Sequence, residues 1–178
     1  PDFFIKFEQI LLHFKDNLQK NFLNYQLFNI FKSNKRILYF LIKEKIVTID
    51  QHITDIMSTN HYFLESKYLH YFFPETKPFL TKRLLSTIEK DIKNYIRNAN
   101  SEEYFENNRK IGENDNYLEQ LIRNDSIEDF ISHVNKTNKS LKKQIEPSIF
   151  ETNPYLLKNQ VTLIEYAAFY GSIQIFKY

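Results

Sequence analysis

Five histidines, at positions 13, 52, 61, 70 and 133, are the residues of this sequence best suited to proton transfer or metal ligation. Two imidazoles on one helix face would require an H-x-x-x-H or H-E-x-x-H spacing, and neither occurs. His52, His61 and His70 follow one another at nine-residue steps. Nine residues make two and a half helical turns, so neighbours in that series point to opposite faces and no metal is expected. The chain has no cysteine, which excludes a disulfide framework and any thiolate metal site. The phosphate-loop pattern G-x-x-x-x-G-K-[ST], the dinucleotide pattern G-x-G-x-x-G and the nucleophile elbow G-x-S-x-G are all absent, and the two glycines, Gly112 and Gly171, lie far apart. Carboxylate pairs at Glu102–Glu103 and Glu128–Asp129 sit in polar stretches, where a solvated helix face explains them better than a general acid and base. These residues lead us to expect a protein that is not an enzyme, with no catalytic residue and no cofactor.

Basic residues offer a second chemistry. They interleave with aromatics from Phe31 to Lys43, and Lys82, Arg83, Lys90, Lys93 and Arg97 fall close together on another helical stretch. Glu44, Glu89 and Asp91 dilute both groups, so a mixed-charge solvated surface is the preferred reading. A nucleic-acid-associated helical protein stands as the alternative. The 24 basic and 22 acidic residues leave a net charge of +2, too little to attract a polyanion by itself. Two sequons, Asn135-Lys136-Thr137 and Asn138-Lys139-Ser140, are what chance provides in an Asn-rich chain.

The elements that position these side chains are read as helices. Phe3, Phe4, Phe7, Ile10, Leu11, Phe14 and Leu18 recur at three-four spacing and predict a core-facing stripe; a membrane-surface helix is disfavoured by Asp2, Glu8 and Asp16. Phe22 to Phe31 continue the pattern, Ser33-Asn34 punctuate it, and Ile37 to Ile42 resume it. Ile46, Val47 and Ile49 suit a short strand as well, but the Ile49, Ile53, Ile56, Met57 spacing favours a helix. An aromatic-rich helix from Tyr62 to Phe73 is expected to end at Pro74 and Pro78. Leu84, Leu85, Ile88, Ile92, Tyr95 and Ile96 then mark the clearest amphipathic helix, with Thr81 and Ser86 flanking its start. No apolar run approaches the roughly twenty residues of a membrane span. The polar stretch before Gly112 places a domain boundary near residue 110, dividing the chain into a helical region, 1–110, and a second region, 111–178.

Thr162 to Tyr178 read as a helical hairpin. Thr162 and Glu165 have capping-box spacing, and Val161 with Tyr166 that of a hydrophobic staple. Ala167 and Ala168 would let a neighbouring helix come close, Gly171 suits a left-handed C-cap, and Ser172 is placed to cap a second helix carrying Ile173, Ile175 and Phe176. Shifting the chain on itself by 46 positions sets Asn116 on Thr162, Glu119 on Glu165, Asp125 on Gly171 and Phe130 on Phe176. Asn116 and Glu119 thus repeat the cap, and Asp125 takes the left-handed position at modest cost. The two hairpins are separated by a proline-containing insertion at about 145–158, with Pro147 and Pro154 in it and Ile149, Phe150, Tyr155 and Leu156 available for packing or for a partner.

Thr162, Ile164, Ala167, Ala168, Gly171 and Ile175 resemble the T-P-L-H-x-A-A-x-x-G-H-x-x-I-V signature of an ankyrin repeat, with Leu163 and Glu165 in place of its Pro and His and Ser172 in place of its second His. The last seventy or so residues resemble a large protist family in which a helical domain of unknown function precedes an ankyrin array. The resemblance implies an all-α fold of stacked helical hairpins, a helical N-terminal region leading into an ankyrin-like α-solenoid, and a chain that is a fragment. It also implies a non-enzymatic scaffold that binds another protein, in the cytoplasm, through exposed turn and first-helix positions. Those positions match Phe169 and Tyr170 here, and Arg123 and Asn124 in the earlier hairpin.

Overall fold

In the computed structural model, residues 2–65, 67–96 and 101–178 are described, and the regular structure among them is helical apart from one isolated antiparallel bridge between Gln144 and Thr162. None of the described helices is long and apolar enough to cross a membrane. Two compact units divide the chain, Pro1–Phe105 and Glu106–Tyr178.

The first unit runs through α1 (Asp2–His13), α2 (Lys15–Asn21), α3 (Asn24–Phe31), α4 (Lys35–Lys43), α5 (Gln51–Thr59), α6 (His61–Glu65), α7 (Tyr68–Tyr71), α8 (Phe73–Thr76), a 3₁₀ turn (Lys77–Phe79) and α9 (Lys82–Tyr95). Side chains cap several of these helices: Asn34 Oδ1 accepts from Ile37 N–H, Asp50 Oδ1 from Ile53 N–H, Asn60 Oδ1 from Tyr62 N–H, and Thr81 Oγ1 from Leu84 N–H. Each such cap stabilises its helix by about 1 kcal/mol. Leu27, Phe28, Leu38, Ile53, Phe63 and Phe72 form the centre of the core.

Three expectations are corrected in this unit. The stripe from Phe3 to Leu18 is two helices broken at Phe14: Leu11 is buried, whereas Ile10 and Phe14 are about half exposed, at 53% and 48%. Ile46, Val47 and Ile49 belong to neither strand nor helix. Lys45 turns the chain through a left-handed conformation (φ 57°), and the N–H groups of Ile46 and Val47 both donate to Leu41 O. The three apolar side chains thereby enter the core ahead of α5. Pro74 begins a helix instead of ending one, because its missing N–H falls in the first turn of α8, where no helical acceptor exists. The expected aromatic helix is therefore split into α6, α7 and α8, with Lys67 left-handed (φ 55°) before α7.

Lys35 is fully buried, its Nζ 5.4 and 5.3 Å from the ring centroids of Tyr68 and Tyr71. Aromatic faces are among the few apolar surroundings that attract an ammonium.

α10 (Ser101–Ile111) contains the division between the units, in a stretch whose polarity suggests a linker. Its apolar content is small, but Phe105 is buried and Arg109 is sealed inside, with Nη1 2.6 Å from Glu106 Oε1. The second unit continues through α11 (Tyr117–Arg123), α12 (Ile127–Thr137), α13 (Pro154–Lys158), α14 (Leu163–Tyr170) and α15 (Ile173–Lys177). α11 packs on α12 and α14, α14 on α15, and α15 back on α12. Leu118, Ile122, Phe130, Tyr166, Ala167 and Ile175 close the core between the two hairpins. The Thr162–Glu165 capping box is complete, and Gly171 and Asp125 both adopt the left-handed conformation (φ 69° and 50°).

The internal echo stops at its polar contacts. Asn116 does not cap α11: its amide donates to Asn114 Oδ1 and Glu146 O, and Glu119 accepts from Glu146 N–H. Ser172 does not cap α15 either, because its hydroxyl donates to Ile122 O at 2.5 Å. Asp125 takes over that role, its carboxylate accepting from the N–H groups of Gln174 and Ile175 at 3.1–3.2 Å. Of the alanine pair only Ala167 is buried; Ala168 is exposed.

Candidate functional site

Arg123 ends α11 and gathers side chains from two other parts of the second unit, the link before α11 and helix α14. Its Nη1 donates to the Tyr166 hydroxyl at 2.8 Å, its Nε lies 2.9 Å from Glu113 Oε2, and its guanidinium carbon sits 5.8 Å from the Tyr170 ring centroid. Tyr166 and Tyr170, one helical turn apart on α14, have ring centroids 4.7 Å apart. Phe169 meets Tyr170 edge-on at 5.1 Å, and Tyr155 of α13 stacks on Phe169 at 5.9 Å, 4° from parallel.

The result is a continuous strip from an enclosed cation to two exposed rings: Tyr155 is 54% and Phe169 45% exposed, while Tyr166 is fully buried. Burial raises the Tyr166 hydroxyl well beyond the ordinary phenol range and pushes Tyr170 up to about 12, so both rings stay neutral at physiological pH.

Of the residues expected to meet a partner, Phe169 is exposed and Asn124 stands exposed at the C-cap of α11. Tyr170 and Arg123 face inward instead: Tyr170 is half-buried against Tyr166, and the Arg123 side chain is only 12% exposed. The correction follows from their shared use of Tyr166, which draws the i and i+4 positions of α14 onto the end of α11. Tyr155 replaces them on the surface. Its place in the insertion is legible in the sequence, but its stacking on Phe169 depends on where the insertion returns.

That return is set by a polar seam. The link from α10 to α11 hydrogen-bonds to residues 146–152: Asn114 Nδ2 to Glu146 O at 2.7 Å, Ser148 Oγ to Asp115 Oδ1 at 2.7 Å, and Thr152 Oγ1 to Gly112 O at 2.6 Å. Glu119 Oε1 accepts from Glu146 N–H at 2.7 Å, while its Oε2 is buried without a hydrogen-bond partner among the described residues. Burial holds the Glu119 carboxyl above the ordinary carboxylate range. Glu146 moves the opposite way, kept low chiefly by a hydrogen bond from Lys143. Asn153 caps α13 through Tyr155 N–H, and Pro154 occupies the first turn. Together these bonds aim Tyr155 at Phe169.

The histidines are scattered. His52, His61 and His70 stand on three separate helices. His70 is 3.2 Å from Asp91, with burial lowering its basicity against that carboxylate, and His61 is 3.3 Å from Glu65. His13, His52 and His133 lie edge-on to Phe14, Tyr25 and Tyr117. No group of three His, Cys, Asp or Glu residues able to hold a metal ion occurs among the described residues. An open groove of about 330 Å³ is lined by Gln19, Phe22, Asn24, Leu27, Ile46 and Thr48. Its polar members are spent on structure: Asn24 bonds to Thr48 and Asp50, and Gln19 to Lys45 O.

No family model matches the chain, and no relative is found among curated proteins or solved structures.

Proposed function

We propose that the second unit is a non-enzymatic protein-binding module built on the ankyrin plan, and that the chain as a whole is a scaffold segment of the protist type it resembles. The observation that carries this reading is the exposed Tyr155–Phe169 stack, backed by Tyr170, Tyr166 and Arg123. Large aromatics held in one orientation lose little side-chain entropy on association, which makes them effective interface anchors. The pairing of α11 with α14 and of α12 with α15 supports the ankyrin part of the proposal. So does the face left by the second hairpin, where Ala168, Ile173 and Phe176 are exposed although their counterparts Ile122, Ile127 and Phe130 are buried or half-buried. The partner is another protein, no small-molecule cofactor takes part, and a cytoplasmic setting belongs to the same reading.

Replacing both rings, Tyr155→Ala with Phe169→Ala, tests it. The variant should keep the helical circular dichroism of the wild type, since both side chains are about half exposed. It should also lose proteins that the wild-type chain retains in affinity capture. An identical captured set would refute the proposal.

A further inference from the structure

α9 arranges its charges in an order that composition hides. At about 100° of rotation per residue, Leu84, Leu85, Ile88, Ile92 and Tyr95 share one sector of the helix. These are its apolar residues, and all are buried or half-buried. Lys82, Arg83, Lys90 and Lys93 share another sector about 100° wide, centred opposite the first. All four are exposed.

The two acids of the helix lie at the flanks, and both are engaged. Glu89 Oε1 is 2.9 Å from Lys77 Nζ, and Asp91 Oδ2 is 3.2 Å from His70 Nε2. The outward face therefore presents four cations and no anion, and none of the four takes part in an ion pair among the described residues. The dilution expected from sequence does not reach this face, because the acids point to other partners.

We propose that this face of α9 docks on the phosphate backbone of duplex DNA. From Lys82 to Lys93 the helix rises about 17 Å, and a duplex offers one phosphate per strand for about every 3.4 Å of its axis. A rigid row of cations fits a rigid row of phosphates of that length. Ser86 and Asn94, exposed beside the lysines, add donors of the kind that bind phosphate oxygens. The face carries no aromatic ring on which unpaired bases could stack, and no apolar side chain that could enter a bilayer. Charge is also distributed in its favour: residues 1–105 hold fifteen basic and twelve acidic side chains, against nine and ten in the remainder. Contacts of this class position a protein on DNA without reading sequence. The surface belongs to the first unit and is independent of the protein-binding reading of the second.

Fluorescence anisotropy of the whole chain with a labelled duplex of about 20 base pairs and mixed sequence tests the proposal. Neutralising about four phosphates gives a slope of about −3.6 in log K against log salt, so affinity should fall about 150-fold between 50 and 200 mM salt. The quadruple variant Lys82→Gln, Arg83→Gln, Lys90→Gln, Lys93→Gln should abolish binding at 50 mM salt. Lys136→Gln, Lys142→Gln, Lys177→Gln, on exposed sites of the second unit, should leave binding unchanged. If the quadruple variant loses its helical circular dichroism, the pair Lys90→Gln, Lys93→Gln serves instead and should reduce the slope by about two. Four results would overturn the proposal: no binding of the wild type at 50 mM salt, unchanged affinity in the substituted chain, tighter binding to a single strand of the same length, or preferential binding to vesicles containing phosphatidylserine.

Discussion

Replacing Gly112 by alanine should destabilise the protein about two to three times as much as the same change at Gly171. Both glycines are left-handed, with φ 71° and 69°, so either substitution places an L side chain where it costs about 1 kcal/mol. At Gly171 a new Cβ meets nothing within 4 Å, and the penalty stops there. At Gly112 the same atom would lie 3.1 Å from Thr152 Oγ1 and 3.2 Å from Thr152 Cγ2.

Thr152 is buried, its χ1 is stiff because it is β-branched, and both its hydroxyl and its N–H donate to Gly112 O, at 2.6 and 3.2 Å. Making room means loosening two hydrogen bonds worth about 1 kcal/mol each. The totals are then about 1 kcal/mol for Gly171→Ala and about 2–3 kcal/mol for Gly112→Ala. In a chain of this size each kcal/mol lowers the melting temperature by about 2–4 °C, readable by far-UV circular dichroism with urea titration as a check. The double substitution supplies a second readout. Thr152→Ser removes the Cγ2 contact and should reduce the Gly112→Ala penalty by about 0.5 kcal/mol or more. Equal penalties at the two glycines, or no coupling to Thr152, would refute the argument.

Glu119→Gln should change how stability depends on pH. The folded chain holds the Glu119 proton above the ordinary carboxylate range, so the stability tied to that proton is fully present below the unfolded pKa and is lost as pH rises through the raised folded value. The glutamine variant lacks this loss, and its melting temperature relative to wild type should climb from acid to neutral pH; a constant difference would refute the assignment. Ser172→Ala should cost about 1 kcal/mol by removing the hydroxyl donor to Ile122 O, which keeps the N–H of Asp125, and a shift below about 0.5 kcal/mol in urea titration would show that the contact contributes nothing.

Where a residue and its partner lie within a few positions, the sequence is readable. Thr162 with Glu165 and Thr81 before α9 act on backbone groups of their own turn, and Asp125 and Gly171 reverse the chain by a left-handed conformation of their own backbone. Amphipathic spacing does the same for α9, whose stripe faces the core it predicts. Asn116 and Glu119 show the limit. Their spacing is that of a cap, yet Glu146, twenty-seven residues past Glu119, competes for both side chains and wins.

Burial of charge is equally hidden. Lys35 sits in a polar stretch and ends up sealed, because two tyrosine rings are brought to it by the fold; Arg109 is sealed as well, although the carboxylate it meets, Glu106, lies one turn back on its own helix. The exposed aromatic surface is only half legible. Phe169 belongs to a helix whose start and stop are written locally, while Tyr155 reaches it through a seam of contacts spanning thirty residues and more. The sequence by itself determined helical character, the Thr162 capping box, the left-handed turns at Asp125 and Gly171 and the lack of recognisable catalytic spacing, since each depends on periodicity or on neighbours within a turn. Only the tertiary structure decided which charges are engaged and which face solvent, and so which surfaces are free to bind, because the desolvation and pairing of a side chain are set by residues distant along the chain.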